Sequence, residues 1–568
     1  MKLFKKIMAL AIAMVMMLSM SISVFAATVE IKDSDDYVAD RTFKAYQVFD
    51  ADWEGGKLTN LTAGEGINWT GEGLWTKIQA LGGDFAAVDS ADKLLTALDG
   101  KATADGEKVA KILKDYVVAA KAITVANDGT LEDGYYIIID ETTLGDNDVA
   151  NAALLQVAGD KVTINVKTDK PEIVKKIDGA TDADTATTGL VDTNNGQVND
   201  LVPYVITSTV PATTYYDKYY MEFNDTVSSG LDISAKDATG DAAFSDYKVY
   251  VDSAEMDASK YTLTVDPTAR TIKVAFTDVK GLDGKVLKLT YKAKINANAK
   301  VGTTGNPNEV TLKYTNSPDH SGDGEYNNED YLSETPKDVV ITYLTGIQIL
   351  KVDAKTNAPL EGAEFQIVGA RTVASKVTGI KFTEDAQGTY YKLATGAYTT
   401  TAPTDATAAR YDTAASGKKY KKESFTEVKT ETQDVKVSAI SGADGIIKFD
   451  ELGAGQYTIT ELLAPDGYNA LEDPIVFTIT YTAPTGEPAE GTETCTWDKT
   501  GVSGVDGDKV VFDSASGLFK VTIGNNSGTT LPSTGGIGTT IFYVVGGAMV
   551  LCGIVMFITK RRIAQIEE

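Results

Sequence analysis

The sequence predicts a mainly β chain: tandem β-sandwich domains, with helices inserted only in the first. Three observations over its 568 residues carry that expectation. From about residue 171 onward, short runs of alternating apolar and polar residues recur between Gly, Asp and Asn clusters, the two-residue period of half-buried strands joined by turns. The long stretch with helical spacing, Ala91 to Ile123, rich in Ala, Leu and Lys, falls inside the first 170 residues. The length suits three or four domains at roughly 150 residues each.

Both ends read as targeting segments. Lys2, Lys5 and Lys6 precede a long apolar run, and Val24-Phe25-Ala26 supplies small residues for a secretory leader spanning 1–26, cut after Ala26. At the other end an apolar run from Ile541 to Ile558 is followed by Lys560-Arg561-Arg562. About eighteen uncharged residues can just span the hydrocarbon core, and the basic cluster marks a cytoplasmic end. Everything between is then exported.

The exported part is strongly acidic. The chain holds 80 Asp and Glu against 53 Lys and Arg, a net charge of -27, and such a surface repels nucleic acid and anionic lipid. Of its two cysteines, Cys552 sits in the apolar run and Cys495 is alone outside it. Disulfides, the usual reinforcement of secreted domains, are therefore closed to it. The single histidine, His320, lies in a loop-like Asp319-His-Ser-Gly-Asp run, and no Ser-His pair, zinc spacing or phosphate loop suggests an enzyme or a cofactor. Glu132-Asp-Gly-Tyr-Tyr136 lacks the acidic ladder of a calcium loop and reads as a solvated hairpin, so no metal is expected.

In chain order, the first domain (27–170) opens with the strand-like Thr28-Val-Glu-Ile-Lys32 and Phe43-Lys-Ala-Tyr-Gln-Val-Phe49, and reaches Tyr135-Tyr-Ile-Ile-Ile139 beyond the helical stretch. It closes on the alternating Val162-Thr-Ile-Asn-Val-Lys167, which runs into Pro171, as a strand leaves one domain for the next. The middle domain (171–342) holds Tyr204-Val-Ile-Thr-Ser-Thr-Val210, Tyr261-Thr-Leu-Thr-Val265 and Val286-Leu-Lys-Leu-Thr-Tyr291, as in an immunoglobulin-like sandwich. In its opening strand Ile173, Lys175 and Ile177 share one face by the two-residue period. A lysine among core residues must be neutral or bonded, because a buried ammonium is expensive. Lys176 is the register alternative, and snorkelling to the surface is the bland one. The third domain (343–530) opens with Ile347-Gln-Ile-Leu-Lys351-Val-Asp353, and its last strand, Phe519-Lys-Val-Thr-Ile-Gly-Asn525, turns Phe519, Val521, Ile523 and Asn525 inward together. Residues 372–432 read as a long insertion.

Four stretches resemble segments of known Gram-positive surface proteins. Leu531-Pro532-Ser533-Thr534-Gly535, a short spacer, one span and a basic stub (531–568) resemble the LPXTG cell-wall sorting signal of Gram-positive surface proteins. The resemblance implies that a sortase cleaves after Thr534 and passes its acyl group to an amine. Asn165-Val-Lys167-Thr168 stands where sortase-assembled backbone pilins carry a Tyr-Pro-Lys-Asn motif. Only the lysine is retained, so Lys161 and Lys170 stay open as acceptors. Pro359-Leu-Glu-Gly-Ala-Glu-Phe-Gln-Ile367 and Tyr457-Thr-Ile-Thr-Glu461-Leu-Leu-Ala-Pro465-Asp-Gly-Tyr468 strongly resemble the collagen-adhesin B-type (Cna-B) repeat, a small seven-stranded sandwich.

What the pilin resemblance implies is a Lys-Asn isopeptide bond inside each sandwich, between its first and last strands, promoted by an acid. In the third domain these are Lys351, Asn525 and Glu461. In the middle domain they are Lys175, Asn308 in the closing-strand-like Gly305-Asn-Pro-Asn308 to Tyr314, and Asp225 in Phe223-Asn-Asp225. Burial would free the amine by depressing its pKa and keep the carboxylic acid protonated for its proton-carrying role. The implied function is the shaft subunit of a covalent pilus, joined head to tail from Thr534 to Lys167 of the next copy. Its implied partners are other copies of itself, peptidoglycan and a sortase of the pilus or housekeeping type. Tip and base pilins and a host ligand are left open. The rival expectation is a monomeric wall-anchored adhesin, from which only Lys167 in its inter-domain setting separates it.

Overall fold

The computed structural model describes residues 26–32, 41–145, 148–165, 170–179, 189–235, 244–320, 326–415, 417–484 and 495–528. The apolar leader, Lys167 and the sorting segment 531–568 lie outside them. Among the described residues no helix is long and apolar enough to cross a membrane. The chain divides into two compact units, Met1–Leu344 with Tyr481–Thr496 and Thr345–Thr480 with Trp497–Glu568.

The first part of the first unit carries an antiparallel sheet ordered Lys57–Ala63, Phe43–Glu54, Gly134–Asp140 and Leu154–Ala158. Beside it a three-stranded sheet pairs Ala27–Lys32 in parallel with Lys161–Asn165. The stretch with helical spacing holds two α-helices, Ala91–Leu98 and Thr103–Leu113, and α-helix ends before Ile123, which opens a short strand. Gly100, with φ 69, breaks it, a conformation glycine adopts without a Cβ penalty. A further helix, Leu74–Ala80, spans two turns, too few for its period to stand out in the sequence. The helices bury Leu74, Ile78, Leu94, Val109 and Leu113 against Tyr46, Phe49 and Ile137 of the sheet.

The middle part is a sandwich of two seven-stranded sheets. One is ordered Leu190–Val191, Val174–Asp178, Leu201–Thr209, Val286–Ile295, Lys248–Val251, Ala254–Glu255, with Leu231–Asp232 also on Val286–Ile295; the other Thr193–Asn195, Asp338–Tyr343, Asn306–Thr315, Met221–Val227, Thr271–Phe276, Tyr261–Asp266, with Leu332–Glu334 also on Asn306–Thr315. Alternation along Val286–Ile295 sends Leu287, Leu289, Tyr291, Ala293 and Ile295 into the core, where they join Ile206, Phe223, Phe276 and Leu312. Each such side chain contributes about 2 kcal/mol of apolar burial. One correction follows: the strand carrying Asn308 is not the closing one, since Leu332–Glu334 and Asp338–Tyr343 come after it. The sequence hides this because Asp338–Tyr343 runs into Thr345–Asp353 with one residue between them, so no turn separates two domains' strands.

In the second unit, Thr345–Asp353 lies between Ile446–Leu452, antiparallel, and Leu518–Asn525, parallel. The first and last strands are therefore neighbours in one sheet. The insertion is a long antiparallel ribbon, Ala374–Glu384 against Tyr420–Thr430, whose first strand also pairs with Ile446–Leu452. Phe382 stacks on Tyr398 at 4.0 Å, giving the insertion an aromatic cluster of its own.

Candidate functional site

Among the described residues only two lysines are buried, Lys175 and Lys351; Lys351 meets a carboxyl and an asparagine, and Lys175 a carboxyl and a tyrosine that in turn holds an asparagine. Such clusters are rare in cores because each charged group loses its hydration.

In the second unit the parallel register sets Lys351 opposite Ile523 and Asp353 opposite Asn525, so lysine and asparagine sit two positions apart on adjacent strands and the same face. Lys351 Nζ hydrogen-bonds Asn525 Oδ1. Glu461 arrives on Gly455–Leu463. Its Oε1 lies 3.2 Å from Lys351 Nζ and accepts a 2.8 Å bond from Asn525 Nδ2. One carboxyl oxygen thus reaches both the nitrogen that would lose a proton and the nitrogen that would leave. Burial, opposed by Glu461, pulls the Lys351 amine down from 10.5 to about 8, and Phe365 lies 5.6 Å from the amine. The tyrosine motif now has a physical reading. Tyr468 donates to Asp353 Oδ2 at 2.9 Å, and Leu471 N donates to Glu461 Oε2 at 2.9 Å. The loop after Pro465 therefore clamps the acid and the end of the lysine strand together.

In the middle sandwich the parts come from both sheets. Lys175, on Val174–Asp178, shares its inward face with Ile173 and Ile177, all three buried. Lys176 points the other way and hydrogen-bonds Asp192. Across the sandwich Val227 pairs with Asn308 and Asp225 with Val310, which makes Asp225 and Asn308 diagonal neighbours on one face. Lys175 Nζ hydrogen-bonds Asp225 Oδ2. Burial pushes the lysine pKa down and the Asp225 pKa up, each opposed by the other's charge. Sequence reasoning missed Tyr291, whose hydroxyl donates to Asp225 Oδ1 at 2.9 Å and accepts from Asn308 Nδ2 at 2.6 Å. The available signal was a tyrosine at an inward position of an alternating strand, since a buried phenol needs a partner.

The N-terminal part has a buried trio of another kind. Arg41 NH1 lies 2.9 Å from Asp140 Oδ2, and Asn151 Nδ2 donates to the same oxygen at 2.8 Å. Arginine stands where the other clusters have lysine, and a delocalised guanidinium is not a nucleophile, so this trio pairs charges and cannot form an amide. Of the alternative acceptors near the first junction, Lys161 is exposed and 2.7 Å from Glu30, while Lys170 is half-buried and 2.8 Å from Asp148. His320 stacks on Tyr331 at 4.0 Å. No group of three or more His, Cys, Asp or Glu that could hold a metal occurs among the described residues.

A prediction tests the state of the Lys351 amine. In an Asn525→Ala chain the amine stays free, releasing its proton near 10.5 unfolded and about 8 folded. Between those values the unfolded state binds more protons, so stability rises with pH, by on the order of 1 kcal/mol per unit. Below pH 8 the burial penalty is present in full. Urea midpoints should climb between about pH 8 and pH 9.5, and the climb should vanish when Lys351→Met is added. Equal slopes in the two chains would place the free amine in contact with water.

Comparison with known families supplies the setting. The model of the SpaA prealbumin-like fold domain matches residues 345–408 and 411–488, and that of the LPXTG cell wall anchor motif matches 525–564. The chain is a cell-wall-anchored surface protein of the Gram-positive type. It is similar to the trypsin-resistant surface T6 protein of Streptococcus pyogenes serotype M6, 24% identical over 324 residues, 48% of this chain and 48% of that protein. The match thus spans about half the length of the curated relative. Among solved structures it is similar to the T6 backbone pilin of serotype M6 Streptococcus pyogenes, at 16% identity and TM-score 0.49, covering 89% of this chain and 99% of that one. It is also similar to the full-length major pilin SpaD from Corynebacterium diphtheriae, at 15% identity and TM-score 0.43, covering 89% and 97%.

Proposed function

We propose that this wall-anchored protein is the backbone subunit of a covalent pilus, that its two buried lysine clusters are sites of self-crosslinking, and that a sortase joins Thr534 of one copy to Lys167 of the next. The observation that carries the reading is the Glu461 oxygen shared between the Lys351 amine and the Asn525 amide nitrogen. That arrangement suits amide formation. The neutral amine attacks Asn525 Cγ, the new C–N bond forms, the C–Nδ2 bond breaks, and ammonia leaves. The proton shed by the amine passes to the carboxyl oxygen and from there to the departing nitrogen, a transfer of a few ångströms in a site closed to water. The products are one amide and one ammonia, with no cofactor consumed. The reaction happens once per site, so the residues have catalytic roles in a protein that turns over no substrate.

A crosslink from a domain's first strand to a late one, the last in the second unit, keeps a pulled domain from extending, which suits a shaft without disulfides. In the second unit the tied strands are parallel neighbours; in the middle domain the tie would span the two sheets. A lysine at the first junction and an acyl donor at the other end make an open, head-to-tail contact, the kind that propagates into filaments. The domain boundaries at 170, 342 and 530 and the single span at 541–558, with its stop at Lys560, belong to this reading. Tip and base pilins and a host ligand would attach to such a fibre. Boiled wall extracts should give a ladder spaced by one mature subunit; a single monomer band would leave an anchored adhesin instead.

A further inference from the structure

The two clusters differ in how the acid reaches the asparagine. In the second unit the carboxyl bonds the departing nitrogen directly, whereas in the middle sandwich, among the described residues, no hydrogen bond joins Asp225 to Asn308 and the Tyr291 hydroxyl bridges them. Asn308 Oδ1 is buried without a hydrogen bond, so among the described residues Tyr291 is the sole hydrogen-bond partner of that side chain. Lys175 Nζ also lies 3.3 Å from the same hydroxyl. Asp225 thus reaches the amine with one oxygen and the phenol with the other.

We propose that Tyr291 is a catalytic residue of the middle-domain crosslink, carrying the proton from Asp225 to the departing nitrogen of Asn308. The inference rests on the self-crosslinking reading above. As Lys175 Nζ bonds to Asn308 Cγ, the amine's proton goes to Asp225 Oδ2. The carbon becomes tetrahedral and Nδ2 gains a lone pair, so its bond to the phenol can reverse. The Asp225 carboxyl then turns to present its protonated oxygen to the phenol, Tyr291 donates its own proton to Nδ2 while taking that one, the C–Nδ2 bond breaks, and ammonia leaves with tyrosine and aspartate restored. Protons and charges balance without a co-reactant. Burial raises the phenol well above its usual value, which keeps the proton on the oxygen until a base forms beside it. The ring is held for the task between Tyr204, 5.2 Å away, and Tyr247, 5.8 Å away.

The test follows the full chain through cell-free synthesis, with intact mass and peptide mapping at intervals. Tyr291→Phe keeps the stacked ring and removes the proton. It should form the Lys351–Asn525 crosslink at the unmutated rate and the Lys175–Asn308 crosslink about 10²–10³-fold more slowly, while limited proteolysis finds the middle domain as compact as the uncrosslinked Asn308→Ala chain. A second chain carries 3,5-difluorotyrosine at 291, nearly the same shape with a more acidic phenol. A changed Lys175–Asn308 rate in that chain supports proton carriage. An unchanged rate there beside a slow Phe variant would reduce Tyr291 to a positioning residue and overturn the proposal, as would a Phe variant crosslinking at full speed. An unmutated chain with no Lys175–Asn308 peptide would instead overturn the crosslinking reading of that domain.

Discussion

Cells that make Lys167→Ala should hold the protein in the wall as a monomer and yield no boiling-resistant multimers. The expected effect is complete loss of the ladder, because the proposed link uses one acceptor amine per subunit. A lysine amine is ordinarily protonated at neutral pH, so the sortase must hold and deprotonate it. Position and local sequence then matter more than supply, and a chain with 53 basic residues would otherwise give branched products. The neighbouring amines are engaged elsewhere: Lys170 with Asp148 at 2.8 Å, half-buried, and Lys161 with Glu30 at 2.7 Å, on a strand in register with Ala27–Lys32. Lys161→Ala and Lys170→Ala should therefore polymerise normally. A full ladder from the Lys167→Ala strain would remove that lysine from the account and reopen the other two.

Glu461→Ala should leave the second unit folded and uncrosslinked. The chain regains the mass of one ammonia, the Lys351–Asn525 peptide disappears from maps, and protease resistance falls. The stability cost should be large. The crosslink would close a loop of 174 residues, and chain-entropy reasoning for a closure of that length gives about 5 kcal/mol, read as a lower thermal midpoint. The Glu461 side chain is fully buried, with Oε1 on Lys351 and Asn525 and Oε2 accepting from Leu471 N, so the loss of these contacts adds to that cost. An unchanged mass deficit would show that the amide forms without this acid, and the proton path through Oε1 would fall.

How much of this was legible in the sequence differs by element. The alternation Phe519, Val521, Ile523, Asn525 and its counterpart Ile347, Ile349, Lys351 placed both residues on inward faces, and the parallel register of the two strands then brings them together. Period-two patterns carry facing directly, so the clusters in the second unit and at Lys175 could be expected from spacing and resemblance. Alternation places Tyr291 inward as well, but not its partners, because these depend on which strand of the opposite sheet it meets, and pairing across a sandwich leaves no local trace. The same limit hid the closing strand Asp338–Tyr343. Helices of two turns, as at Leu74–Ala80, fall below the length at which periodicity speaks, and Gly100 divided a run that composition made continuous. The Arg41, Asp140 and Asn151 trio was illegible for a further reason: its members are spread over strand and loop positions with no motif to join them.

The most direct test of the central claim is the intact mass of the mature protein purified from the wall or expressed without its sorting segment. The account predicts a mass lower than the sequence requires by two ammonia molecules, one mapped to Lys175–Asn308 and one to Lys351–Asn525. A mass equal to that of the unmodified chain would contradict it.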